Sequence, residues 1–113
     1  MIIEGDYDEV DWFGEVRVDG KPLDPQPSQK VWNHSPDGFA WGYGGSGPAQ
    51  LALAVLLEAG VPERVAVALY QRFKAEYFAT LPRESFRIDV DVNAWVTKNR
   101  LTAAIPTEGA NDE

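Results

Sequence analysis

Glycines next to a histidine are the residues of this sequence best suited to chemistry. Four glycines fall within residues 42–47, directly before a long apolar stretch, and His34 lies a few residues upstream. Where a glycine-rich loop leads into a helix, exposed backbone amides and the positive end of the helix dipole together form a site for an anion. The spacing therefore predicts an anion- or ligand-binding site made of Gly44, Gly45, Ser46, Gly47 and His34.

The glycines also suit a purely structural role. The lysine and hydroxyl pair of a P-loop does not follow Gly47, and the glycine spacing is not that of dinucleotide-binding folds. Glycine also lets a backbone pass close to bulky side chains. The alternative is therefore that the loop packs against an aromatic cluster of Trp32, Phe39, Trp41 and Tyr43.

A serine nucleophile with a histidine base is a second chemical alternative, because Ser35 and Ser46 lie near His34. However, Pro48 stands where the GxSxG elbow of a nucleophilic serine needs glycine, and no orienting acid is identified. One histidine without any cysteine falls short of a zinc ligand set. We therefore predict no catalytic residue, no metal site and no cofactor, and we expect a protein that is not an enzyme.

Acidic residues are concentrated in the first half of the chain. Residues 1–63 carry eleven acidic and three basic side chains, whereas residues 64–113 carry seven of each. An acidic surface repels nucleic acid phosphates and attracts a basic partner. We predict partner binding by Asp6, Asp8, Glu9 and Asp11 and no direct binding of nucleic acid. The alternatives are that these side chains only keep the protein soluble, or that they bind calcium weakly without EF-hand spacing.

A buried helix must follow the glycine-rich loop. Residues 51–57 leave no polar face, and a helix without a polar face lies in a protein core. Pro48 suits the first helical position after a Gly47 cap, and Gln50 can reach back to an unpaired amide. Gly60 followed by Pro62 ends the helix. The sequence thus predicts a central buried helix at about 48–59.

Short strands are predicted before this helix, at residues 1–4 and 15–18. Asp19 and Gly20 form a hairpin turn into Lys21 and Pro22, whose ring confines that strand to an edge. Residues 6–11 are predicted as an acidic loop. Residues 24–28 are predicted to be irregular, because each of their two prolines removes an amide donor.

After the central helix, apolar spacings of three and four predict an amphipathic helix over residues 62–81. A short strand at 86–88 and a third helix, capped by Asp89, follow. The competing interpretation extends the alternation of residues 86–92 into a longer strand. The fold class is α+β: one domain over residues 1–100, with a small N-terminal antiparallel hairpin or sheet packed on two to three helices, and a flexible tail over 101–113.

The class of protein is bounded by what the sequence lacks. The absence of cysteine favours a reducing compartment. Residues 1–15 lack the basic start and apolar run of a signal peptide, and the longest apolar run is far too short to cross a bilayer. We therefore expect a soluble, cytoplasmic protein that does not bind membranes.

The central segment resembles the signature of a known family. Residues 33–36 (NHSP), Gly38 and Phe39, and residues 41–52 (WGYGGSGPAQLA) are similar to a motif of small uncharacterised proteins from bacteria, phages and plasmids. Residues 69–74 and 81–82, Phe86 and Trp95 resemble the family's second half, so the resemblance covers about residues 12–97. The family is a domain of unknown function. The resemblance implies one compact domain and a mobile-element context, and it implies no mechanism.

These observations lead to two functional hypotheses. The first is an acidic, non-enzymatic binding protein, such as a phage or mobile-element accessory protein or an inhibitor of host defence. Its partner would be a basic host protein that handles nucleic acid. The second is a module that binds a small ligand or a nucleotide through the glycine-rich loop.

Overall fold

The fold is described from a computed structural model of the chain, which describes residues 1–7 and 13–103. Its strands are β1 (Ile2–Tyr7), β2 (Gly14–Val18), β3 (Lys21–Pro22) and β4 (Phe86–Asp89). Its helices are α1 (Gln26–Val31), α2 (Ser46–Glu58), α3 (Glu63–Phe73), the π segment (Lys74–Phe78), which continues α3 as a π-helix, and α4 (Val92–Ala103). The predicted α+β fold class is confirmed.

The four strands form one antiparallel sheet in the order β3-β2-β1-β4. Ile3 pairs with Val18 on one side and with Ile88 on the other, and the inner face that these residues share packs on the helices. The predicted hairpin turn is confirmed, since Asp19 and Gly20 both have positive φ (50° and 84°), as a type I′ turn requires.

Helix α2 is the centre of the fold. Every residue from 47 to 56 is buried, which confirms the predicted central helix. The helix begins at Ser46 with Gly45 as its N-cap, two residues earlier than the sequence predicted. Gln50 does not reach back to the helix start as expected, because its side chain is engaged by a different segment, described below.

The predicted helix over residues 62–81 forms in two parts. Helix α3 ends at Phe73, and the π segment carries the chain to Phe78. Both phenylalanines are fully buried. The predicted third helix is confirmed as α4, and the longer strand is not formed. The cap of α4 is Asp91 and not the predicted Asp89. Asp91 Oδ1 accepts a hydrogen bond from the Ala94 amide at 3.0 Å.

Two irregular segments were predicted wrongly. Residues 24–28 do not stay irregular: helix α1 begins at Gln26, with Pro25 as N-cap and Pro27 in the first turn, where a missing amide donor costs nothing. The acidic loop was expected to begin at Asp6, but Asp6 lies within β1.

Some residues of the predicted partner site and of the predicted tail lie outside the described residues. They are Asp8, Glu9, Asp11 and the part of the predicted tail after residue 103. Helix α4 extends three residues beyond the predicted domain boundary at residue 100. Within residues 1–7 and 13–103, no helix has the length and hydrophobicity needed to span a membrane.

Candidate functional site

A buried glutamine connects helix α2 to the segment that follows α1. Gln50 is fully buried in a helix whose other core residues are apolar. Its Oε1 accepts hydrogen bonds from the amides of His34 (2.7 Å) and Ser35 (2.9 Å). Its Nε2 donates to Ser28 Oγ (2.8 Å) and to the Trp32 carbonyl (3.1 Å). The side chain thus uses two donors and two acceptor positions, its full capacity.

The glutamine fixes the backbone from which two rings project. The imidazole of His34 lies parallel to the indole of Trp32, with centroids 5.3 Å apart and an angle of 3° between the planes. At the edge of the imidazole, His34 Nε2 is 2.6 Å from the hydroxyl of Tyr70, a buried residue of α3. Trp32 remains 54% exposed. A large aromatic face is therefore held rigidly and offered to solvent.

The environment of His34 favours its neutral form. Burial lowers the pKa of the imidazole below its ordinary value, and the positive charge of Lys74 lowers this pKa further. At neutral pH the ring is therefore uncharged, and one of its nitrogens accepts a hydrogen bond while the other donates one. His34 acts here as a polar aromatic group, and Lys74 supplies the positive charge.

Two of the predicted site glycines have packing reasons. A Cβ at Gly45 would stand 2.3 Å from the ring of Tyr43, and a Cβ at Gly47 would stand 2.6 Å from the Cβ of Ala40. A side chain at Gly47 would displace the backbone at Ala40, whereas one at Gly45 would displace the ring of Tyr43. A packing role for these two glycines is therefore supported by their contacts with Tyr43 and Ala40, whereas Trp32 stacks on His34 and Trp41 packs against Tyr7 and Phe86.

Gly44 differs from its neighbours. A Cβ there would meet nothing within 4 Å, its φ is not in the left-handed region, and the residue is exposed. Neither packing within the described residues nor backbone conformation requires glycine at this position. What glycine provides here is an open approach to the backbone at the start of α2.

Tyr43 brings a second exposed ring and a cation to the loop. Its side chain is 39% exposed, and the guanidinium carbon of Arg83 lies 5.2 Å from the ring centroid. Within the described part of the chain, neither Arg83 nor Lys74 forms an ion pair with a carboxylate. Both cations are thus available to an anion.

Helix α2 connects the exposed ring of Tyr43 to the segment that carries Trp32 and His34. The Tyr43 hydroxyl lies 3.1 Å from where a Cβ of Gly47 would stand, and Gln50 holds the amide of His34. Gly47 and Gln50 are three residues apart, so they share one face of the helix. We call the resulting patch the aromatic surface; it consists of Trp32, His34, Tyr43, Gly44 and Ser46.

The predicted ligand residues therefore lie at one end of α2, although they differ in accessibility. Gly44 and Ser46 are exposed, whereas Gly47 is buried and Gly45 is half-buried. Sequence reasoning missed Trp32, Tyr43, Tyr70 and the two cations as members of the site. The signal that could have found the site was Gln50, a polar residue in an otherwise apolar buried helix.

The predicted partner residue Asp6 is already paired. One of its oxygens lies 2.9 Å from Arg17 Nη2, and the other accepts a hydrogen bond from Ser85 Oγ at 3.0 Å. The hydrogen bond with Arg17, and then that with Ser85, lowers the pKa of Asp6. Its carboxylate is 60% exposed, so it adds to an acidic face only in part, because Arg17 cancels its charge.

The described residues do not support the alternative of a nucleophile at Ser35 activated by His34. Ser35 is buried, and its amide bonds to Gln50, while the Nε2 of His34 is engaged by the Tyr70 hydroxyl. Within the same residues, no group of three or more His, Asp or Glu side chains is placed to hold a metal ion.

One open concavity lies elsewhere. It has a volume of about 490 Å³ beside β2 and β3, and its lining includes Asp6 and Phe13. Phe13 borders a stretch outside the described ranges, and we place no site there.

Comparisons with known proteins give one result. The model of a family of unknown function, DUF6166, matches residues 10–98, which is most of the chain. No curated protein and no solved structure matches.

Proposed function

We propose that this chain, which belongs to the DUF6166 family of unknown function, is a non-enzymatic binding protein whose ligand site is the aromatic surface. The ligand class that suits this surface combines a planar ring with a phosphate group, as a nucleotide does. The observation that carries the proposal is the Gln50 side chain, which is fully buried and whose four hydrogen bonds hold the backbone around the exposed Trp32, one of them at the Trp32 carbonyl.

The ring of the ligand is assigned to Trp32. Exposed aromatic side chains bind nucleobases by stacking, and Trp32 is 54% exposed. His34 supports the inner face of the indole, so the ring does not have to be ordered when a ligand binds. Rigid support of this kind raises affinity because less entropy is lost on binding.

The phosphate is assigned to the start of α2. The amides beside Gly44 can be approached closely, the helix dipole favours negative charge there, and Lys74 and Arg83 add two cations without carboxylate partners among the described residues. In a chain with a net charge of −8, two such cations beside an exposed aromatic ring favour an anionic ligand.

Titration by calorimetry and tryptophan fluorescence tests the proposal. The probes are the four common nucleoside triphosphates, the corresponding nucleosides and inorganic triphosphate. Base stacking is worth about 1–3 kcal/mol, and about 1.4 kcal/mol is a factor of ten. Trp32→Ala should thus weaken nucleotide binding roughly 5- to 150-fold. Gly44→Val and Lys74→Gln should weaken binding of triphosphate and nucleotides alike.

Lys21→Gln is the matched control, since Lys21 lies exposed on β3 and its loss should leave binding unchanged. The proposal fails if none of the probes binds, or if the Trp32, Gly44 and Lys74 variants bind as well as the wild type.

A second candidate function is binding of a basic protein by the acidic half of the chain. It is favoured by the charge of residues 1–63, which sums to −8, and by the exposure of Glu15 (71%) and Asp6 (60%) on the outer face of the sheet. In this view the protein is a cytoplasmic accessory protein of a phage or plasmid that inhibits a nucleic-acid-handling or defence protein of the host.

Neutralisation tests this second function. The variant in which Asp6 and Asp8 become Asn, Glu9 becomes Gln and Asp11 becomes Asn should slow association with a basic partner recovered from host lysate. Wild-type binding should weaken steeply with salt, because exposed charges are screened over roughly 8–10 Å near physiological ionic strength. If neither the four substitutions nor added salt weakens partner binding, this second candidate function is excluded.

A further inference from the structure

The edge of the sheet formed by β4 is suited to pairing with another strand. In the order β3-β2-β1-β4, the two outer strands are β3 and β4. Strand β3 has two residues, and one of them is Pro22, which has no amide donor. Strand β4 has four residues and pairs with β1 on one side only. It is therefore the edge at which the sheet can be extended.

The backbone groups at this edge follow from the register of β4 on β1. The Val90 amide donates to the Met1 carbonyl at 2.9 Å, so Val90 belongs to a hydrogen-bonded pair. In an antiparallel ladder such pairs alternate with pairs that are not hydrogen-bonded. Phe86 and Ile88 therefore bond toward β1, while the amides and carbonyls of Arg87 and Asp89 point away from the sheet.

The side chains of these two edge residues carry opposite charges. Arg87 and Asp89 lie on the outer face, with side chains 68% and 79% exposed. Their contacts within the chain are long: Arg87 Nε is 3.8 Å from Glu4, and Asp89 is 3.5 Å from the amino group of Met1. Charges on an edge strand discourage pairing with arbitrary strands, but opposite charges two residues apart complement a second copy of themselves.

Only one register of self-pairing uses this complementarity. Residues directly opposite each other in antiparallel strands lie on the same face of the sheet, and faces alternate along a strand. When two identical strands pair, opposite residues are therefore an even number of positions apart, and the two-fold axis lies at a residue and not between two residues. An axis at Arg87 or at Asp89 places like charges opposite each other. An axis at Ile88 places each Arg87 opposite the Asp89 of the other copy, and those are the residues whose backbone groups point outward.

We propose that two copies of this chain associate through β4, antiparallel about a two-fold axis at Ile88, so that two four-stranded sheets join into one. Four backbone hydrogen bonds form between the two β4 strands, and two reciprocal ion pairs form on the outer face. The half-buried Ile88 side chains meet on the inner face, where pairs without hydrogen bonds bring side chains closest. A pair of four-residue strands is a small interface, so the dimer is weak and forms as concentration rises.

Charge reversal provides a test that a general loss of stability cannot imitate. Arg87→Asp alone places Asp opposite Asp, and Asp89→Arg alone places Arg opposite Arg. Each should weaken the dimer about tenfold or more, because like charges face each other twice across a two-fold axis. The double variant Arg87→Asp with Asp89→Arg restores opposite charges in both pairs and should dimerise like the wild type.

Sedimentation velocity from low micromolar to millimolar concentration measures the association, and circular dichroism checks that each variant is folded. Glu15→Arg is the control, because Glu15 lies on the same outer face but on the inner strand β2, and its reversal should not change dimerisation. A wild type that stays monomeric at millimolar concentration overturns the proposal. So does a double variant no better than the single ones, or single variants that dimerise normally. Because the aromatic surface plays no part in the pairing, Trp32→Ala should leave dimerisation intact.

Discussion

Replacement of Gln50 by leucine is the sharpest test of how the candidate site is held. Leucine has a similar size and suits a buried helix, but it can neither accept from the amides of His34 and Ser35 nor donate to the Trp32 carbonyl. The change therefore leaves the helix intact and removes the connection between α2 and the segment that carries Trp32 and His34.

The expected loss of stability follows from the groups left unpaired. The buried Ser35 amide loses its acceptor, which costs about 1–3 kcal/mol, whereas the His34 amide still donates to the Trp32 carbonyl at 3.2 Å. The three other lost hydrogen bonds cost about 0.5–1.5 kcal/mol each, or roughly 1.5–4.5 kcal/mol together. Burial of leucine in place of a polar amide offsets about 1–2 kcal/mol of this loss in the free energy of unfolding. The net loss should be about 3 kcal/mol, against a total stability of roughly 5–15 kcal/mol.

Urea denaturation followed by circular dichroism measures this loss. The fluorescence of Trp32 should respond as well, since the indole is no longer held against His34. Gln71→Leu is the matched control: Gln71 is an exposed glutamine of α3, and its replacement should change stability by less than about 0.5 kcal/mol. If Gln50→Leu is as stable as this control, the four hydrogen bonds do not hold the segment, and our account of the site is wrong.

Four further changes have expected outcomes. Leu53→Asp should unfold the domain, because it places an unpaired charge at a fully buried position; a variant that still melts near the wild-type temperature would contradict the buried helix. The lowered pKa of His34 should make stability fall as the pH drops below its unfolded value of 6.5, and His34→Gln should flatten this dependence in denaturation curves at a series of pH values. Gly47→Val should lower the melting temperature strongly, because its side chain would meet Ala40, while Gly44→Val should leave it nearly unchanged. Deletion of the exposed Ala75 should convert the π segment to α-helix; the domain should still fold by circular dichroism, but nucleotide titration should show weakened binding.

The central helix could be predicted because the cause of its structure is local. An apolar stretch without a polar face allows only burial, and residues 47–56 are all buried. The same holds for the Asp19–Gly20 turn, since a positive φ at both positions is what these residues tolerate best. In both cases neighbouring residues decide the outcome.

Helix α1 could not be predicted because its stability comes from distant contacts. Six residues are too few for a helix to persist alone in water. Its buried Ser28 donates to the Pro25 carbonyl and accepts from Gln50, which lies 22 residues further along the chain. The rule that two prolines exclude regular structure ignored that a first helical turn needs no amide donors.

The candidate site was half predictable for the same reason. The glycine-rich loop and His34 stand out by residue type, but the contact between His34 and Tyr70 joins residues 36 positions apart. Tyr70 belongs to the buried stripe of helix α3. The spacing of that stripe does not reveal that the hydroxyl emerges beside the loop.

The π segment shows how the second side of the loop is fixed. Phe73 and Phe78 are both fully buried, yet they are five residues apart, whereas an α-helix brings residues three and four apart to one face. The wider turn, in which the Ala79 amide donates to the Lys74 carbonyl, resolves this conflict. At its end the Phe78 carbonyl accepts a hydrogen bond from the Gly42 amide at 2.9 Å. The loop is thus attached to the end of the π segment through Gly42, while Gln50 attaches the neighbouring segment to α2. A π turn is rare, and here it both buries Phe73 and Phe78 and places the Phe78 carbonyl where the Gly42 amide can donate to it.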